Sequence, residues 1–191
     1  MRFVLRLFTL FALSLPIVLP AQQEKPLGAE LRVHWDGFVI FVIKDDVRHP
    51  LSVEKEAMAA AIDSVKLLSA KASGDFMYLL FDLTGPSRGQ EEANSQFGAG
   101  VERSLIWVKL NTVWQKVDSQ NFVIESCWDT AYLKDEGAPI TFSGPDLVAR
   151  GRTYRDPKTE NTSTNYRERR YEVSYSLKHP ESGLKINLIT P

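Results

Sequence analysis

The sequence predicts an α+β fold, with one main helix at about residues 52–72 packed on a curved, mainly antiparallel β-sheet of about seven or eight strands. Three observations predict it. One segment has helical spacing behind a capping serine, many shorter segments alternate apolar and polar residues between turns, and no internal repeat or heptad is present. The alternative is a β-barrel-like closed sheet that the helix plugs or flanks.

The first strand region is predicted at Leu31–Ile43, with a break near Asp36-Gly37. Its second half, residues 38–43, is apolar on both faces of the alternation. Such a strand has to be covered on both sides, so we expect it at the centre of a sheet.

The helix is predicted from a cap and a stripe of apolar residues. Ser52 is a good N-cap, and Glu54 and Glu56 place negative charge in the first turn, where the helix dipole favours it. The stripe consists of Met58, Ile62, Val65 and Ser69, widened by Ala61 and Leu68. The helix is expected to stop at Ser73-Gly74.

The remaining elements are strands separated by turns and by two long loops, at 84–103 and 155–166. A final hairpin has the clearest alternation, with a turn at His179-Pro180-Glu181-Ser182-Gly183. The predicted strands are 76–83, 104–110, 113–117, 121–128, 140–142, 147–154, 171–177 and 184–188.

The N-terminus is typical of a secretory signal peptide. Arg2 and Arg6 flank the start of the apolar run Leu7–Leu19, and Ala21 stands at the expected cleavage point. The run is shorter than the roughly 20 residues that a transmembrane helix needs, so no transmembrane span is expected after cleavage, although retention as a membrane anchor is the alternative. The predicted organisation is a signal peptide at 1–21, a flexible mature N-terminus at 22–30 and a single α+β domain at 31–191. The expected location is secreted or periplasmic.

Composition limits the classes of partner and of stabilising bond. The chain has 23 basic and 24 acidic side chains, and loss of Arg2 and Arg6 with the signal peptide would change the net charge from −1 to −3. We therefore expect no nucleic-acid partner. Cys127 is the one cysteine, so no disulfide can form within the chain, and we expect a free, buried thiol. Pairing of Cys127 between chains is left open.

No catalytic residue, metal site or cofactor is predicted. The three histidines are far apart in sequence, and no serine-hydrolase, phosphate-loop or dinucleotide motif is present. Glu125 and Asp129 would lie on the strand face of Cys127, where their charges disfavour a thiolate. The alternative to a binding protein is a hydrolase-type enzyme in which Glu125, Asp129 and His34 converge in the fold.

One local charge feature suggests a binding site. Residues 150–170 hold seven basic and three acidic side chains. We expect Arg150, Arg152, Arg167 and Arg169 to form a cationic rim at one end of the sheet, able to hold a carboxylate, a phosphate or a sulfated glycan. A hairpin tip kept soluble by charge is the plainer interpretation.

The predicted function is that of a non-catalytic ligand- or protein-binding module of the cell envelope. Its partner would be an anionic small molecule, a glycan or an envelope protein. A third possibility is an assembly factor that donates or accepts a strand through a sheet edge.

Overall fold

The computed structural model describes residues 31–53, 56, 59, 61–86, 100–126, 131–153 and 168–189. The predicted signal peptide, the predicted flexible N-terminus and Cys127 lie outside these residues. Within the described residues, no helix is long and apolar enough to cross a membrane.

The described part of the chain is almost entirely β-structure in two antiparallel sheets. It contains no helix of seven or more residues, and a short 3-10 helix spans Pro180–Ser182. The strands are β1 (Arg32–Asp36), β2 (Val39–Lys44), β3 (Val47–Ser52), β4 (Ser64–Ser73), β5 (Phe76–Pro86), β6 (Val101–Leu110), β7 (Lys116–Ser126), β8 (Ala131–Leu133), β9 (Phe142–Ser143), β10 (Asp146–Thr153), β11 (Arg169–Ser176) and β12 (Lys185–Ile189).

The smaller sheet has the order β1-β2-β3. The larger has nine strands in the order β12-β11-β10-β8-β7-β6-β5-β4, with β9 paired to β10 outside this path. The predicted break at Asp36-Gly37 separates β1 from β2, and the predicted central position of residues 38–43 is confirmed for β2. Only Ile40 and Val42 on this strand are fully buried, so one of its faces is covered more completely than the other.

The predicted α+β fold is wrong, because the segment 52–72 does not form a helix. β3 ends at Ser52, and Ser64–Ser73 pairs with β5 as an edge strand. A bulge between Leu67 and Ser69 adds one residue to this strand. The residues opposite the inward-facing Phe81 and Leu79 of β5 are therefore Leu67 and Ala70, three positions apart. The predicted helical stripe does not form one face, because Val65 packs on the side of the smaller sheet and Leu68 packs on the opposite side. Apolar residues on both faces of a bulged strand thus produced spacings that resemble those of a helix.

The alternative of a β-barrel-like closed sheet is also wrong. β4 and β12 lie at opposite ends of the larger sheet, and no ladder joins them in the described residues. The sheet curls without closing. Its 3-10 helix meets the other half of the curl, where the indole Nε1 of Trp107 donates a hydrogen bond of 2.9 Å to the carbonyl oxygen of Pro180.

Two apolar clusters hold the sheets together. One lies between the smaller sheet and one face of β4–β6, and it includes Ile40, Val42, Phe81 and Ile106. The other lies inside the curl of the larger sheet, and it joins residues of β5–β7 to residues of β8, β10 and β11. Because the second cluster uses the inner faces of β10 and β11, the alternate side chains of these strands face outward.

Both ends of the first predicted loop, 84–103, belong to strands. β5 continues to Pro86 and β6 begins at Val101, which leaves residues 87–99 outside the described part of the chain. All of the second predicted loop, 155–166, lies outside it as well.

Candidate anion-binding groove

The outer face of β8, β10, β11 and β12 carries two cross-strand rows of side chains. In the first row, Arg152 is directly opposite Tyr132 on one side and Arg170 on the other, and Arg170 is opposite Ile189. In the second row, Arg150 is opposite Glu172, which is opposite Asn187. The alternation of β10 and β11 therefore brings three arginines onto one small area of the sheet.

These arginines line an open concavity of about 660 Å³, which we call the arginine groove. Its charged lining residues are Lys134, Arg150, Arg152, Arg170 and Glu168. Four positive charges and one negative charge thus face a volume within the range of small-ligand sites. Lys134 follows β8 directly, and its backbone N–H donates a hydrogen bond of 2.8 Å to the carbonyl oxygen of Arg150.

The arginines differ in how far the protein compensates their charge. The Nε of Arg150 lies 2.8 Å from an oxygen of Glu172, so this arginine has a carboxylate partner. The guanidinium carbon of Arg152 lies 5.5 Å from the centre of the Tyr132 ring, a cation–π contact. In the part of the chain that the structure describes, neither Arg152 nor Arg170 forms an ion pair.

The floor of the groove depends on one glycine. Gly151 lies between the two arginines of β10 and is directly opposite Tyr171. A Cβ atom at Gly151 would overlap the Tyr171 hydroxyl and the carbonyl oxygen of Tyr132. The glycine therefore allows the Tyr171 ring to pass close to the strand, and the hydroxyl reaches the carbonyl oxygen of Ile124 at 2.7 Å.

The structure places the four predicted arginines differently. Arg150 and Arg152 lie together in the arginine groove. Arg169 is opposite Thr153 and shares the inward face of Tyr171, so it is on the other side of the sheet. Arg167 lies outside the described residues.

Sequence reasoning missed Arg170 and Lys134, which both line the groove. The alternation of β11 contained a signal for Arg170, since Tyr171 and Val173 face the core and Arg170 therefore faces outward with Glu172. What the sequence did not contain was the register, which sets Arg170 opposite Arg152. Lys134 has no periodic signal, because it follows the end of a three-residue strand.

The residues of the hydrolase alternative are not brought together in the described part of the chain. His34 is exposed on β1 of the smaller sheet, on the strand face opposite Val33 and Trp35, which pack toward the larger sheet. Glu125 belongs to β7 of the larger sheet. Asp129 lies outside the described residues.

Glu125 instead belongs to a buried ion cluster, which we call the Arg103 cluster and which comprises Arg103, Asp82 and Glu125. Arg103 donates to both carboxylate oxygens of Asp82, at 2.8 and 2.7 Å, and to Glu125 at 3.2 Å. It also donates to the carbonyl oxygen of Ala138 at 2.9 Å. The other oxygen of Glu125 accepts a hydrogen bond from the backbone N–H of Gly137 at 2.6 Å. The hydrogen bonds to Asp82 raise the pKa of the Arg103 guanidinium.

This cluster is suited to holding strands together, because each of its carboxylates already has partners. Asp82 binds the guanidinium in a two-pronged geometry that uses both of its carboxylate oxygens. Among the described residues, no group of three or more histidine, cysteine, aspartate or glutamate side chains could hold a metal ion.

In the arginine groove, Arg152 and Arg170 thus face each other without an ion-pair partner among the described residues. No family model, no curated protein and no solved structure matches this chain.

Proposed function

We propose that this protein is an exported, non-catalytic binding module that holds an anionic ligand in the arginine groove. The observation that carries the proposal is the pair formed by Arg152 and Arg170. They are directly opposite each other on antiparallel strands, and among the described residues neither has a carboxylate partner. The predicted signal peptide at residues 1–21 supports export.

Two facing cations are an unfavourable arrangement unless something compensates them. The Cβ atoms of directly opposite residues lie about 4.5–5.5 Å apart, and like charges at such positions destabilise a sheet. An anion between the two guanidinium groups would turn this repulsion into two sets of charge-assisted hydrogen bonds. Lys134, which lines the same groove, adds to the attraction.

The proposal is tested by titrating the protein with sodium phosphate and sodium sulfate at low ionic strength in an isothermal calorimeter. The test variant carries Arg152→Gln and Arg170→Gln. Because a hydrogen bond to a charged group contributes about 1.5–3 kcal/mol, loss of both guanidiniums should weaken binding about a hundredfold or more.

The control variant carries Arg32→Gln and Arg48→Gln and has the same change in net charge. These two arginines lie in one cross-strand row of the smaller sheet, separated by Ile43, and Arg32 is paired with Asp46. The control should bind both anions as the unchanged protein does. Absence of binding in the unchanged protein, or equal loss in both variants, would overturn the proposal.

A further inference from the structure

We propose that the ligand is a phosphate monoester, with its phosphate between Arg152 and Arg170 and its alcohol portion in a smaller neighbouring concavity. This inference rests on the proposed anion-binding function and adds the class of ligand. Two properties of the site lead to it: the amount of uncompensated charge and the shape of the surface beside the groove.

The charge favours a dianion. Arg152 and Arg170 together present two positive charges without an ion-pair partner in the described residues, whereas the charge of Arg150 is compensated by Glu172. A phosphate monoester carries about −1.5 to −2 at neutral pH and has three terminal oxygens. A carboxylate carries one charge and two oxygens, so it would leave one of the facing guanidiniums with its charge uncompensated.

The arrangement of donors also favours a phosphate. Each guanidinium is a planar fork that binds two oxygens of one group. Arg152 and Arg170 approach the space between them from neighbouring strands, so a tetrahedral group can offer a different pair of oxygens to each. Lys134 lines the same groove and can donate to an oxygen from a position just beyond β8.

The shape favours an ester over a free inorganic ion. A second concavity of about 240 Å³ meets the arginine groove at Leu133, Lys134 and Arg150, which line both. Its other lining includes Val148, Pro139 and Ala138, with Asp135 as its acidic residue. Val148 is 43% exposed, so it offers apolar surface to a bound molecule. This space is smaller than a typical small-ligand pocket and suits a short alcohol portion.

A long polyanion fits the surface less well. Glu168 lines the groove, Glu172 lies beside Arg150, and Asp135 lines the second concavity. A nucleic acid that extended beyond the two facing arginines would meet these carboxylates. The whole chain has a net charge of −1, so it offers no general attraction to a polyanion.

The test compares four soluble probes by calorimetry: phenyl phosphate, inorganic phosphate, inorganic sulfate and benzoate. At pH 7.5, phenyl phosphate should bind about tenfold more tightly than inorganic phosphate, because the ring covers apolar surface at Val148 and Pro139. Benzoate should bind at least about tenfold more weakly than phenyl phosphate, because it has one charge.

A variant and a pH change separate the two parts of the inference. Val148→Asn should remove the advantage of phenyl phosphate and leave the binding of inorganic phosphate unchanged. At pH 5, phenyl phosphate should bind about tenfold more weakly, since the second phosphate pKa is about 6 and most of the ligand is then a monoanion. Inorganic sulfate keeps both charges at that pH, so it controls for any effect of the pH change on the protein itself.

Vesicles of phosphatidylcholine with and without phosphatidic acid distinguish a soluble ester from a lipid headgroup. Binding of phenyl phosphate alone supports a soluble ligand, and binding of phenyl phosphate and of the vesicles with phosphatidic acid supports a lipid carrying the same group.

The failures are distinguishable. If phosphate and sulfate bind but phenyl phosphate binds no more tightly, or benzoate binds equally well, the phosphate ester is excluded and anion binding stands. If no probe binds, the proposed function fails as well. Binding to vesicles without any binding of phenyl phosphate would also contradict the inference.

Discussion

The Arg103 cluster and the arginine groove both depend on arginine side chains, but they use them in opposite ways. Arg103 is 10% exposed and donates to Asp82, Glu125 and a backbone carbonyl oxygen. Arg152 and Arg170 are exposed, face each other, and have no carboxylate partner in the described part of the chain. Both regions contain arginines. What distinguishes the structural site from the candidate binding site is whether carboxylates of the protein compensate the charge of those arginines.

The largest expected effect comes from removing the compensated arginine. Arg103→Met leaves the buried Asp82 and the partly buried Glu125 without their cation, and the free energy of unfolding should fall by about 3–5 kcal/mol. Urea unfolding followed by tryptophan fluorescence measures this change. The control is Arg32→Met, which breaks the exposed pair with Asp46 and should cost less than about 1 kcal/mol. Equal effects of the two variants would contradict a structural role for the cluster.

The second prediction concerns the floor of the groove. Gly151→Ala places a Cβ against the Tyr171 hydroxyl and the carbonyl oxygen of Tyr132, and the latter belongs to backbone that cannot move freely. Such overpacking should lower the free energy of unfolding by about 1–3 kcal/mol. Thermal unfolding checks it, with the exposed Asn187→Ala as a control expected to change stability little. A neutral effect of Gly151→Ala would show that the close approach of Tyr171 is unimportant.

The third prediction concerns Tyr171, whose hydroxyl bond links β11 to β7. Tyr171→Phe removes the 2.7 Å hydrogen bond and leaves the carbonyl oxygen of Ile124 buried, at an expected cost of about 1–3 kcal/mol near pH 7. Unfolding in urea at that pH measures it. An unchanged midpoint would mean that this carbonyl oxygen gains another partner.

The same hydroxyl makes stability depend on alkaline pH. Burial, and secondarily the charge of Glu125, raises the pKa of Tyr171 above its ordinary value. The folded state then keeps a proton that the unfolded state loses above about pH 10, so this contribution to stability is present below pH 10 and is lost as pH rises further. Burial also raises the pKa of Tyr78 and of Tyr175. Tyr171→Phe should therefore reduce the loss of stability above pH 10, and an unchanged slope would contradict this.

The smallest expected effect on stability has the opposite sign. Arg170→Glu replaces a like-charge pair with an opposite-charge pair across β10 and β11, and without phosphate it should stabilise the protein by about 0.2–1 kcal/mol. Thermal unfolding in low-salt buffer measures it. The same variant should not bind phosphate. Destabilisation in the absence of phosphate would indicate that Arg170 already has a compensating partner.

How much of the fold the sequence predicts depends on the regularity of each segment. The apolar run of β2 and the final hairpin of β11 and β12 were predictable, because their alternation is uninterrupted and turn residues bound them. β4 was not, because apolar residues lie on both of its faces and a bulge interrupts their alternation. The bulge is evident only from the pairing of β4 with β5. In the sequence alone, its effect on the spacing of apolar residues cannot be distinguished from helical periodicity.

The positions of the candidate site residues were predictable to a similar degree. Arg150 and Arg152 lie in the groove, since residues two apart on a strand share a face. Arg170 depends on the register between β10 and β11, and the long polar segment between these strands does not fix that register as a short turn would. Arg103 and Asp82 lay in apolar strands far apart in sequence, and only the alignment of β5 with β6 brings them together.

The most direct test of the account is a double-mutant cycle on Arg152→Gln and Arg170→Gln, followed by urea unfolding with and without saturating phosphate. Without phosphate, the two arginines should destabilise each other, so each single substitution relieves the same repulsion. With phosphate, the coupling energy should reverse sign and become favourable, because both guanidiniums then bind one anion. A coupling energy of zero, or one of the same sign in both conditions, would contradict the claim that these arginines await an external anion.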